Sequence, residues 1–123
     1  MYLLKIAAVV FFLGSGAVQG PSYRIVHKEK FQIVDTAGFY LYKINKLVQG
    51  EKIARPADVY YFSVNAEGPI EELTRANLEN AFAGNARFRY ALEAQFSRDG
   101  QLTAYDPLLK AYKVKYIYSQ SLH

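Results

Sequence analysis

Past residue 20 the apolar positions first recur in twos and later in threes and fours, and that change of period divides the chain. From Phe31 to Val34 the residues are β-rich. From Gly38 to Leu47, Tyr40, Tyr42 and Ile44 fall on one side of an extended chain and Phe39 and Leu41 on the other. Two apolar faces predict a central or doubly covered strand. Gln49-Gly50-Glu51 supplies a turn, and Val59 to Val64 alternates again with Tyr60, Phe62 and Val64 together. Pro56 lies just before that run, where a ladder donor is not yet needed, and Asn65 to Pro69 closes the sheet half.

From Ile70 onward the spacing is helical. Thr74 is placed to cap a helix through Leu78 and Phe82, with Gly84-Asn85 as its stop. A second helix carries Phe88, Leu92 and Phe96 four residues apart, with Arg87, Arg89 and Glu93 on a solvated face. Arg98-Asp99-Gly100 breaks it. The last segment reads two ways. Tyr105, Leu109, Tyr112 and Tyr116 follow helical spacing, while Tyr112, Val114, Tyr116 and Tyr118 alternate as in a strand. Asp106-Pro107, a good N-cap and first-turn pair, favours a helix over 107–119. The expected fold is therefore α+β: a small antiparallel sheet of three or four strands from the N-terminal half, packed against two or three C-terminal helices. No internal repeat, low-complexity run or linker interrupts it.

The first 20 residues have a different character. Lys5 is the single cation of a short start, Ile6 to Leu13 is apolar, and Gly14 to Gly20 is small and polar. That order is what a secretion signal requires. A bilayer core of ~30 Å takes about 20 apolar residues to cross, more than this run supplies. Residues 1–19 are thus expected to be a cleaved signal peptide and 20–123 a single small domain, exported to the periplasm or the extracellular space, with no transmembrane span in the mature chain. Cleavage fits after Ala17 or Gln19, and Pro21 disfavours it directly after Gly20. With no cysteine in the chain, the acylation site of a bacterial lipoprotein is missing, and so are disulfides and thiolate metal sites.

Composition narrows the chemistry. Eleven tyrosines and eight phenylalanines supply a core for a domain of this length without disulfides. The net charge of +4 is spread along the chain rather than gathered in the dense stripe of a nucleic-acid binder, so no nucleic acid is expected.

The stretch from Pro56 to Ser63, then Leu73-Thr74 with Asn77-Leu78 and Phe82, then Phe88, Leu92 and Phe96, and finally Leu102, Tyr105-Asp106 and Lys110 to Lys113, resembles small exported proteins of Bacteroidota. The resemblance covers most of the mature chain and rests on packing and capping residues. It implies a bacterial envelope setting and lends no catalytic residue.

Candidate catalytic groups are few. The two histidines are His27, flanked by Arg24, Lys28 and Lys30, and His123 at the very end. Cations oppose protonation of the first, and end residues fray. Cys–His and Ser–His–Asp arrangements are thereby almost closed off, and no GxSxG or SxxK string occurs in the mature chain. No catalytic residue, metal ligand or cofactor is assigned. Glu67, Glu71 and Glu72 lie close together but lack the pattern of a calcium loop. Placed at a helix start, Glu71 and Glu72 would offset its dipole. The densest aromatic groups are Tyr60-Tyr61 and Tyr112, Tyr116 and Tyr118, the latter interleaved with Lys113 and Lys115. Exposed, they suit a protein partner or an anionic glycan; otherwise the lysines snorkel over a buried tyrosine seam. The reading is an exported, non-enzymatic protein with an envelope or protein-interaction role, its partner an envelope protein or a glycan. The alternatives are a small secreted hydrolase using a carboxylate pair and a structural periplasmic protein.

Overall fold

The computed structural model describes residues 21–50 and 52–123. The expected signal and its cleavage point at Ala17 or Gln19 lie outside the described residues. The rest forms an α+β fold in which five strands, one more than the largest number expected, make an antiparallel sheet in simple chain order: β1 (Tyr23–Val26), β2 (Glu29–Asp35), β3 (Tyr40–Gln49), β4 (Ala54–Ser63) and β5 (Glu71–Glu72). Three helices come after it, α1 (Arg75–Ala81), α2 (Ala86–Gln95) and α3 (Lys113–Gln120). Between the last two lie a 3₁₀ turn at Asp99–Thr103 and a small hairpin of β6 (Tyr105–Asp106) and β7 (Ala111–Tyr112).

β3 is central, as its two apolar faces predict. Leu41 stands opposite Phe62, and Tyr42 opposite Tyr61, so each pair marks one face of the sheet. The helices cover the Leu41 face at one end only. There Phe39, Leu41, Phe62, Leu78, Phe88, Leu92, Phe96, Leu102 and Val114 form one core, each of them almost wholly removed from water. Burying a side chain of this size contributes about 1.5–3 kcal/mol. Phe39 is the hub: its ring meets Phe62, Phe82, Phe88 and Tyr118 at centroid distances of 6.0, 5.6, 6.3 and 5.3 Å. On the opposite face the sheet carries its own apolar cluster, with Phe31 edge-on to Tyr42 and Tyr61.

Local chemistry corrects several expectations. Thr74 caps α1 as expected, its hydroxyl accepting from the Asn77 N–H at 3.0 Å. Asn85 starts a helix instead of stopping one, because its side-chain oxygen accepts from the Phe88 N–H at 3.0 Å. Glu71 and Glu72 are not in the first turn of a helix. They form the edge strand β5, opposite Phe62 and Tyr61, so the sheet continues past the turn at Asn65 to Pro69. Pro56 lies inside β4, opposite Leu47. It shares parity with Tyr60, whose carbonyl points outward to the Leu73 N–H, so the proline nitrogen faces the side that β5 is too short to reach.

The largest correction is at 107–119, which is not one helix. The Asp106 carboxylate accepts from the Leu108 and Leu109 N–H groups at 2.9 and 3.2 Å and closes a hairpin turn. The residues that would begin a helix thus serve a β-turn, and the helix starts only at Lys113. Each of the two rival periodicities holds in part. Tyr112 ends a strand, and Val114 to Tyr118 wind as a helix.

The β1–β2 turn is under backbone strain. Its two central residues, His27 and Lys28, have φ of 51° and 69°, the geometry of a type I′ turn, which favours Asn-Gly. Holding ordinary side chains there costs roughly 1–2 kcal/mol each. The double substitution His27→Asn, Lys28→Gly is expected to stabilise the fold by about 1 kcal/mol after the added chain entropy of glycine. Urea denaturation checks this: the midpoint rises, and an unchanged or lower midpoint contradicts the turn assignment.

Candidate functional site

Four polar groupings arise from this fold. The first is built on Lys115, in the first turn of α3 and buried to 5 % exposure. Its ammonium donates to the backbone carbonyls of Ala37 and Phe39, lies 3.4 Å from the Asp35 carboxylate, and sits 4.5 Å from the Phe39 ring centre. Asp35 in turn accepts from the Ala37 N–H at 2.8 Å, which folds the β2–β3 connection into a cradle of oxygens. Burial pulls the Lys115 ammonium below its ordinary value, while the Asp35 charge opposes that pull. Tyr112 lies edge-on to Tyr105 at 5.2 Å. Burial pushes the Tyr112 hydroxyl up, and Tyr60 and Asp35 add to the effect. Lys115 is a nucleophile in principle, yet its amine points into backbone rather than into a cavity.

The second grouping lies on the opposite sheet face. The hydroxyls of Tyr42 and Ser63, both fully buried, are 2.7 Å apart. Arg24 donates to both, and Ser63 donates to the Asn65 carbonyl at 2.6 Å. Every hydroxyl has a partner, so the network fixes β1 against β4 and leaves no hydroxyl ready to attack a substrate. Beside it Lys46 donates to the Tyr61 hydroxyl at 2.8 Å and stands 3.9 Å from Glu29. The Tyr61 hydroxyl holds the Lys46 ammonium above its ordinary value, burial notwithstanding.

The third is a carboxyl pair, Glu79 of α1 and Glu93 of α2. Burial first, and then hydrogen bonding to Glu93 and its charge, raise the Glu79 carboxyl above its ordinary value, while Arg75 and Arg89 pull it down. The Nε of Arg89 is buried without a hydrogen-bond partner, so this arginine is partly enclosed rather than part of a fully solvated face.

The fourth is a cavity of about 170 Å³ between the end of α2, the β6–β7 hairpin and α3. Phe96, Leu109, Tyr116 and Ile117 give it apolar walls, and Asp106 and Lys113 supply one charge of each sign. Around it the hairpin holds Tyr105, Leu108 and Leu109 in water, Leu108 to 93 % exposure.

The residues singled out from the sequence are scattered by the fold. His27 sits in the exposed β1–β2 turn and His123 ends the chain beyond α3. The Glu67 N–H is bonded to the Asn65 side chain in a turn, apart from the strand that holds Glu71 and Glu72. Among the described residues no three of His, Asp and Glu gather closely enough to hold a metal ion. The tyrosine–lysine group is divided. Tyr118 joins the core, Tyr116 and Lys113 face water, and Lys115 is buried instead of snorkelling. Nothing in the sequence marks Lys115 and Asp35 as partners, since 80 positions separate them. Arg24, Tyr42 and Ser63 carry no motif either.

Among the described residues no helix is long and apolar enough to cross a membrane. Compared with family models, with curated proteins and with solved structures, the chain has no match in any of the three.

The carboxyl pair gives a pH dependence with a definite sign. Because the folded Glu79 titrates above 4.5, its contribution to stability is complete below that value and is lost as pH rises through the folded pKa. Glu79→Gln keeps a neutral partner for Glu93 and should flatten this part of the profile. Urea midpoints taken between roughly pH 4 and pH 7 check it. The wild type is expected to lose stability relative to the variant on that rise; parallel profiles contradict a raised Glu79 carboxyl.

Proposed function

We propose that this chain is exported and works in the cell envelope or outside the cell as a non-enzymatic interaction protein. The observation that carries the reading is the contrast between its buried polar groups and its surface. Lys115, Tyr42 and Ser63, the groups with the most distinctive chemistry, are enclosed and bonded internally. Large apolar side chains instead stand in water on the β6–β7 hairpin, with Leu108 at 93 % and Tyr105 at 53 % exposure beside an apolar cavity. Apolar groups held out on a closed two-strand loop suit a partner that buries them. The order of Lys5, the apolar run to Leu13 and the small residues to Gly20 supports export.

A carboxylate-pair hydrolase needs two acids facing one cleft. Asp106 is the one acid among the cavity's lining residues, and its Oδ1 already accepts two backbone N–H groups. Glu79 and Glu93 lie on the α1–α2 pair and do not line that cavity. A structural role without a partner would leave the exposed hairpin unexplained.

A photo-cross-linking side chain placed at Leu108 in the native host tests the reading, with the same side chain at Asn80 on α1 as control. A discrete adduct from position 108 alone, formed by a protein whose N-terminus begins after residue 17 or 19, is the expected result. Adducts from neither position, or an intact Met1 on the accumulated protein, overturn it.

A further inference from the structure

Neighbouring strands of this sheet run antiparallel, so β1 and β3 leave it at the same end. The β1–β2 turn and the β3–β4 turn therefore stand side by side, at the end opposite the helices. The helices anchor instead at the β2–β3 connection, through Lys115 on Ala37 and Phe39. No element covers the Leu41 face beyond the core, and large aliphatic side chains are left in water at this end, two on that face and one in the β3–β4 turn. Ile25 is 68 % exposed, Leu47 69 % and Ile53 74 %. The cross-strand register puts Ile25 on the same face as Leu47: it pairs with Lys30, which shares parity with Gln32, itself opposite Lys43. Ile53 closes the tip, its carbonyl accepting from the Gly50 N–H at 3.1 Å.

The same end is basic. Of its acids, Glu29 is paired with Lys46 at 3.9 Å and Asp58 with Lys43 at 3.7 Å. Lys28, Lys30, Lys52 and Arg55 have no ion-pair partner among the described residues, and Glu51, outside them, is the one further acid in the turn. Lys30 rests its ammonium 4.3 Å from the Tyr23 ring centre and remains exposed.

Aliphatic tips ringed by cations are the composition of an interfacial anchor. Apolar groups enter the headgroup boundary while lysines and arginines meet the lipid phosphates. A nucleic acid would set its phosphates against the same aliphatic tips and give them no apolar phase to enter. We propose that this end of the sheet docks onto an anionic lipid bilayer, with Leu47 and Ile53 entering it and Lys28, Lys30, Lys52 and Arg55 at the level of the phosphates. The proposal does not depend on the hairpin surface or on the cavity.

The chain has no cysteine, so a single Ala54→Cys substitution carries a polarity-sensitive fluorophore at one known place. The full chain is mixed with vesicles of phosphatidylcholine alone or with phosphatidylglycerol added. A blue shift with the anionic vesicles only, reversed by salt, is the expected result. Binding through the apolar run at residues 6–13 would survive Leu47→Asp with Ile53→Asp, and a label at Asn80 is expected to stay in water. Lys52→Glu with Arg55→Glu lowers partitioning by at least fivefold for each cation removed, as an order of magnitude. Leu47→Asp with Ile53→Asp abolishes the shift, and circular dichroism checks that these exposed substitutions leave the fold intact. A label at position 54 that stays in water, or that shifts equally with neutral vesicles, overturns the proposal. So does a shift that survives Leu47→Asp with Ile53→Asp, because attraction without insertion is then sufficient.

Discussion

A lysine ammonium held out of water governs how the two halves of this chain meet. Removing such a cation from water costs several kcal/mol even after relaxation. Lys115 offsets that cost with two backbone carbonyls, the Asp35 carboxylate and the face of Phe39. Those acceptors all belong to the β2–β3 connection, so α3 has one seat. The same seating brings Tyr118 down on Gly38, where an added Cβ would lie 2.7 Å from the ring and where φ is +73°. A glycine is needed there twice over, for its backbone angle and for the approach of the ring. Tyr118 then completes the ring cluster around Phe39, with Phe82 and Phe88 at 5.0 and 5.1 Å.

This anchoring gives the molecule two unlike ends. At the helical end, aromatic packing and the Lys115 cradle close the core, and the distinctive polar groups are used up internally. At the far end, the ladder of β3 and β4 runs on to Gln49 and Ala54 with no helix over it. Aliphatic and cationic side chains remain in water there. The fold thus commits Lys115, Tyr42 and Ser63 to positioning, and the proposed binding role rests on the side chains it leaves in water.

Much of the helical half is legible in the sequence. Phe88, Leu92 and Phe96 lie a helical turn apart and all three are buried, and Thr74 marks the start of α1 by the bond its hydroxyl can make. The two-faced run around Tyr42 identifies the central strand. Other features leave no local trace. β5 is two residues long, too short for alternation to show, and is fixed only by pairing with β4. α3 has no side-chain cap, while the capping pair that points to a helix, Asp106-Pro107, closes a hairpin instead. The Asx bond that Asp106 makes is the same in both settings, and only the path of the chain after Leu109 decides between them. Each of the four polar groupings holds a residue that the sequence marks, Lys115 and Tyr112 at the cradle, Tyr61 on the opposite face, Glu93 in the carboxyl pair and Asp106, Leu109, Lys113 and Tyr116 at the cavity, but the contacts they make are not legible there. The cradle is invisible because its acceptors are mostly backbone carbonyls, present at every residue.

Amide hydrogen exchange on Lys115→Met tests the dependence on that cradle most directly. The substitution keeps most of the side chain's length and apolar bulk and removes its charge and hydrogen bonds. In the wild type, the amides of Ile117 to Ser119, which bond within α3, should exchange only when the whole domain unfolds, together with those of β3. In the variant, α3 should open before β3, with a global loss of about 2 kcal/mol from the stranded carbonyls. If α3 and β3 keep equal protection in the variant and stability is unchanged, Lys115 does not hold the halves together.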